Sequence, residues 1–237
     1  MAVGVYAGVA AMTDRDVSDS VAVGVAVLLA WMAARELDPD RQIVAIWAMP
    51  IAFAASLYVV PSLVVTAVAA LAVRLVAGTI GAPITALDIV ILGGLGFLSG
   101  VEIAAWIAAL AIGMWLLSAQ EVGKLKWIGL ASLAGGMAIG FLVADVEQIA
   151  IGEDAYLLAA VGGAVMMLAM TPKNVESETD ARTGTVDAKR IGLARKAAGS
   201  FIMWAAVMAG VAGFWMVSPI LAALAATAVA KWFLPGA

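Results

Sequence analysis

The sequence predicts an all-α fold, a polytopic transmembrane helix bundle of about 8–10 spans, as a single membrane-embedded domain over residues 1–237. Three observations predict it. Hydrophobic residues make up 65% of the chain and charged residues only 13%, with a mean hydropathy of +1.07, where a soluble domain carries about 25% charge. Charge-poor runs recur along the whole length, which leaves no room for a separate soluble domain. Those runs are continuously apolar and rich in Ala, Leu and Val instead of alternating, which disfavours a barrel.

Taken in order, Met1 to Thr13 is apolar without a basic region before it, so it reads as a short first span and not as a cleaved signal peptide. TDRDVSD, Thr13 to Asp19, follows with three aspartates and one arginine. It reads as a polar hairpin, or as the end of the first helix, which would put Asp14 at that helix end. Ser20 to Ala34 is a second apolar run, and the charges from Arg35 to Arg41 form a loop. Ile43 to Val73 is too long for one span, and splitting it at Pro61 gives Ile43 to Val60 and Ser62 to Val76. Arg74 then snorkels to a headgroup or pairs with Asp88. Gly78 to Pro83 is a turn. Ile84 to Gly100 carries Asp88 in apolar surroundings, either as an ordinary helix-start residue beside Thr85 or as an intramembrane acid with a function.

Ile103 to Ser118, Trp127 to Ala144 and Ala155 to Met170 continue the spans, with Glu102, Lys124 and Lys126, and an acidic loop at Asp145, Glu147, Glu153 and Asp154 between them. Thr171 to Lys196 is the only long polar stretch. Its Lys173, Arg182, Lys189, Arg190, Arg195 and Lys196 place it in the cytoplasm. Counting back puts the acidic loop outside, Lys124 and Lys126 inside, and Asp88 near the cytoplasmic end of its helix. Ala197 to Val217 and Ser218 to Leu234 close the chain as a hairpin turned at Ser218-Pro219. The small-residue stretches Gly94 to Ser99 and Gly135 to Gly140 suit close helix packing.

With no Cys and no His, thiol and imidazole nucleophiles, thiolate metal sites and disulfides are excluded. Chemistry, if any, rests on carboxylates, and no cofactor is expected. A net charge of −4 and a pI near 4.8 argue against nucleic acid as a partner.

The ordering of an Asp in a polar string after a short first helix, GVAAMTDRDVSD at Gly8 to Asp19, and a later helix opening with an Asp, ALDIVILGGLGFL at Ala86 to Leu98, resembles the type IV prepilin and archaeal preflagellin peptidases. Thr85 and Leu87 stand where that family has its motif glycines, and Val90 where a Lys usually follows. The resemblance implies an integral-membrane aspartic peptidase in which Asp14 and Asp88 share a proton and activate water. It further implies a pilin-like or archaellin-like substrate cut at the cytoplasmic face. Three spans between the two aspartates put them on opposite faces, so the pair needs Ile43 to Val76 to cross the bilayer an odd number of times. Two other readings stay open. One is a transporter or channel subunit with Asp88 and Arg74 lining a path and Pro50, Pro61 and Pro83 marking broken helices. The other is a membrane scaffold without chemistry.

Overall fold

The computed structural model describes residues 2–12, 15–79, 86–101, 124–143, 154–169, 175–179 and 184–233. Among the described residues the regular structure is helical: α1 (Ala2–Ala11), α2 (Val17–Leu37), α3 (Gln42–Tyr58), α4 (Leu63–Ala77), α5 (Ala86–Val101), α6 (Lys124–Val143), α7 (Asp154–Leu168), α8 (Ala188–Met216) and α9 (Ser218–Phe233). One isolated antiparallel bridge, Glu178 to Thr185, is the exception. The expected span from Ile103 to Ser118 lies outside the described residues.

The split of the long apolar run is where the sequence puts it. The helix ends at Tyr58, and Ser62 caps the next one by accepting from the Val65 N–H at 3.3 Å. Pro50 sits inside α3 without ending it. Gly78 closes α4 in the left-handed region at φ 66°, its N–H donating to the Arg74 carbonyl. A side chain at Gly78 would be strained and would also run into the Arg190 guanidinium.

Three expectations are corrected, and one open alternative is decided. Arg35 and Glu36, read as loop, belong to the last turn of α2, where Glu36 finds partners on α4. The second half of the polar stretch, from Ala188, is helix, started by Asp187, whose carboxylate accepts from the Lys189 N–H at 2.8 Å. Of the two readings of TDRDVSD, continuation of the first helix is closed, since that helix ends at Ala11. The last two segments are not two straight helices turned only at Ser218-Pro219: α8 departs from helical geometry at Ala209 and Gly210, and the part after that break meets α9 at a 66° bend.

The hydrogen bonds at the helix ends fix the helix directions. At one end of the bundle Arg195 reaches the Leu37 carbonyl at the close of α2, and Arg190 reaches Leu75 and Val76 at the close of α4. At the other end Arg15 donates to Ser56 and Leu57 at the close of α3, and Thr66 donates to the Met216 carbonyl. Helices α2, α3 and α4 therefore run alternately up and down, around a core of mostly small and medium side chains such as Ala33, Ala48, Val73 and Leu224, with Phe201 the largest among those fully buried. Helix α2, with 21 residues, is the one described helix long and apolar enough to cross a membrane, and the bent segment from Ala209 to Phe233 would be a second if taken as one broken span.

Helices α5 and α6 pack closely, through glycines within the expected stretches and one beside them. Gly94 and Gly135 face open space, while the contact runs through Gly93, Gly96 and Gly136. A Cβ on Gly136 would collide with the Gly93 carbonyl oxygen and lie 2.9 Å from the Phe97 nitrogen. Because both obstacles are backbone, Gly136→Ala is expected to destabilise by about 1–3 kcal/mol, read as a lower unfolding midpoint in mild detergent. Gly135→Ala, with nothing near its Cβ, serves as the neutral control.

Candidate functional site

The polar side chains that the helices bring together lie at the end where α2 and α4 finish and α3 and α8 begin. Trp31 and Arg35 stand one turn apart on α2, with the guanidinium 5.3 Å from the ring centroid. Glu36, the next residue, is buried. Its Oε1 lies 3.5 Å from Arg74 Nε, and its Oε2 accepts from the Thr79 hydroxyl. Burying a carboxylate is costly unless it is paired and hydrogen-bonded, and Glu36 is both. Arg74 is thus held by an acid on α2, where the sequence suggested a headgroup or Asp88.

Above this group lies a cavity of about 380 Å³ whose lining includes Trp31, Arg35, Glu36, Arg74, Thr79 and Ser177. Its volume falls within the range of small-molecule sites, about 300–1,000 Å³. The lining holds two arginines, Arg35 and Arg74, and two glutamates, Glu36 and Glu178.

A second knot holds the same end together. Arg195 is 4% exposed and donates to the carbonyls of Leu37 at 2.8 Å and Ala169 at 2.9 Å, with Asp38 Oδ2 at 3.5 Å. Burial raises the pKa of Asp38 above the ordinary carboxylate range, against the pull of Arg195 and Arg41. Asp40 is the opposite case. Its slight burial works to raise its pKa, but the Ser177 hydroxyl, the N–H groups of Ser177 and Glu176, and Arg41 outweigh that and bring it below the ordinary value. Arg190 satisfies the last carbonyls of α4, where a cation is also favoured by the helix dipole. Among the described residues there is no grouping of three or more acidic side chains fit to hold a metal ion.

Of the two aspartates singled out in the sequence, Asp14 lies outside the described residues. Asp88 is half-buried in the first turn of α5. Arg15, next to Asp14 in the chain, is bonded to the end of α3, whereas Thr79, the last described residue before α5, belongs to the opposite end with Glu36. The residues that the fold does bring together, Glu36 with Arg74 and Arg195 with Asp38, were read in the sequence as loop or headgroup charges. A signal existed for Arg195: at helical spacing it shares a face with Ile191, Ala198 and Ile202, all buried.

No known protein family, curated protein or solved structure matches the chain.

Proposed function

We propose that the chain is a multi-pass integral-membrane protein that binds a small zwitterionic solute in the cavity over Glu36 and Arg74, in the manner of a transporter or channel subunit. The observation that carries this is the buried, fully paired Glu36 beneath a cavity whose two arginines are balanced by two glutamates. A lining of that balance favours a ligand carrying both charges over a simple anion or cation. The excess of Lys and Arg in Thr171 to Lys196 makes this the cytoplasmic end. Membrane embedding beyond α2 is supported by large apolar side chains that α5, α6 and α7 turn outward, such as Leu98, Trp127, Ile139, Leu142, Leu157 and Met167. A soluble protein rarely exposes apolar surface on that scale.

The test is a panel of amino acids and other dipolar solutes added to the purified protein in detergent. A ligand present at about 100 times its Kd stabilises by about 2.7 kcal/mol. At least one solute is expected to raise the unfolding midpoint of the parent and leave that of Arg35→Ala unmoved. A panel without effect, or one acting equally on both, overturns the binding reading. Release of the protein from membranes by alkaline carbonate would overturn the embedding.

A second reading is the prepilin-peptidase-like aspartic peptidase, with Asp14 and Asp88 as acid and base on the signal segment of a pilin-like protein. It is favoured by Asp88, a half-buried carboxylate opening an otherwise apolar helix. Single cysteines at Ser18 and Leu87, in a chain that has none of its own, decide it. We expect modification from opposite faces, an expectation that the alternating directions of α2, α3 and α4 support. Modification of both from the same face, with loss of peptidase activity in Asp88→Asn, would restore the aspartate pair.

A further inference from the structure

Most of the described arginines are committed to the fold. Arg15, Arg190 and Arg195 hold helix-end carbonyls, and Arg74 is paired with Glu36. Arg35 is different. Among the described residues it joins no ion pair and donates no hydrogen bond, and its guanidinium lies over the Trp31 ring instead. It is exposed, and it lines the cavity. Trp31 is itself partly buried against the core, so the ring is a fixed platform one helical turn from the arginine. An arginine free in water ranges over many rotamers, and lying over a ring removes part of that freedom before any ligand arrives. The planar fork keeps its N–H donors for what enters.

The acids of the lining divide in the same way. Glu36 is spent on Arg74 and Thr79. Glu178 is exposed, and among the described residues its carboxylate has neither a hydrogen-bond donor nor a counter-charge. The cavity therefore presents one uncommitted cation, on α2, and one uncommitted anion, on the segment 175–179.

We propose that Arg35 is the carboxylate receptor of this cavity, with Trp31 as its positioning residue, that Glu178 receives the ligand's ammonium, and that the substrate class is the amino carboxylic acids with a free amine. A carboxylate offers both oxygens in one plane and takes parallel N–H groups from the fork. A sulfonate spreads its charge over more, weakly basic oxygens and gains less. A quaternary ammonium has no N–H to give Glu178, and the ring that could have received it by a cation–π contact already carries Arg35. The assignment rests on the cavity being the binding site of a zwitterion.

The test uses two matched sets of solutes on the purified full chain in detergent, with Kd read by titration calorimetry. One set is glycine, aminomethanesulfonate and glycine betaine, and the other is β-alanine, taurine and β-alanine betaine. In at least one set the amino acid is expected to bind about tenfold more tightly than either analogue, the difference that about 1.4 kcal/mol makes. Arg35→Lys keeps the charge and loses the fork, so the preference over the sulfonate should fall to about twofold while that over the betaine remains. Glu178→Ala should do the reverse. Trp31→Leu should lower the preference over the sulfonate as Arg35→Lys does, and Trp31→Phe, which restores a ring, should recover most of it. A merely structural role for Trp31 would weaken all three solutes alike.

Equal affinity for amino acid and sulfonate in both sets overturns the assignment of Arg35, and uniform weakening in Trp31→Leu overturns that of Trp31. A betaine that binds as tightly as its amino acid overturns that of Glu178. In each of these cases a zwitterion still binds, so the site stands and the assignment falls. The same holds if neither set binds while another dipolar solute stabilises the parent, because the smallest solutes carrying both charged ends must be recognised. If no zwitterion binds at all, the site and the assignment fall together.

Discussion

Arg195→Met is expected to cost about 3–5 kcal/mol of stability, the range for removing one partner of a buried ion pair. The arginine carries three interactions at once, to the ends of α2 and α7 through Leu37 and Ala169 and to Asp38. Methionine fills much of the same volume, so the loss comes from two orphaned carbonyls and a carboxylate left in a site that already disfavours its charge. The pH dependence follows from Asp38. Its folded pKa is raised by burial, with Arg195 working the other way, so without Arg195 it rises further. A carboxyl whose folded pKa is raised contributes stability below its unfolded value near 3.8, and that contribution is lost as pH rises through the folded pKa. The defect of Arg195→Met should therefore be largest at neutral pH and shrink as the medium is acidified. Adding Asp38→Asn should recover part of it at pH 7. A single variant within 1 kcal/mol of the parent would show that Arg195 is solvated in the working protein.

Much of the helix layout is written locally, and that part is legible. Pro61 followed by Ser62 both stops one helix and caps the next, and Gly78 is the left-handed residue that a helix end needs. The charges from Lys189 to Lys196 were misread because polarity alone does not separate a solvated loop from a helix whose arginines reach back to other helices. Arg190 and Arg195 find their acceptors 114 and 158 residues away in the chain, on α4 and α2. No local pattern encodes such partners. The same limit applies to the aspartates. A lone acid in an apolar stretch is visible at Asp88, but which residue faces it depends on the direction of every helix between. The glycine contacts of α5 and α6 are legible as stretches, with Gly96 and Gly136 inside them, but not residue by residue, since one residue rotates the face by about 100° and exchanges Gly94 for Gly93.

Glu36→Ala is expected to cost about 2–3 kcal/mol, less than Arg195→Met because Arg74 is partly exposed and can turn to water. The loss has two parts that variants separate. Thr79, 7% exposed, loses the acceptor of its hydroxyl, and Arg74 loses its counter-charge. Glu36→Gln keeps an acceptor for Thr79 and removes only the charge, so it should retain about half of what alanine loses. Arg74→Met combined with Glu36→Ala should be more stable than the sum of the two single losses, because each single change strands the other partner. Unfolding midpoints in one detergent give all four values. The functional readout is independent of them: Glu36→Gln is expected to fold and yet lose the stabilisation by a zwitterionic solute, since its amide leaves the cavity with two arginines and only Glu178 to balance them. Retention of that stabilisation in Glu36→Gln would move the binding site away from α2, and a Glu36→Ala variant as stable as the parent would mean that the carboxylate is hydrated in the working protein.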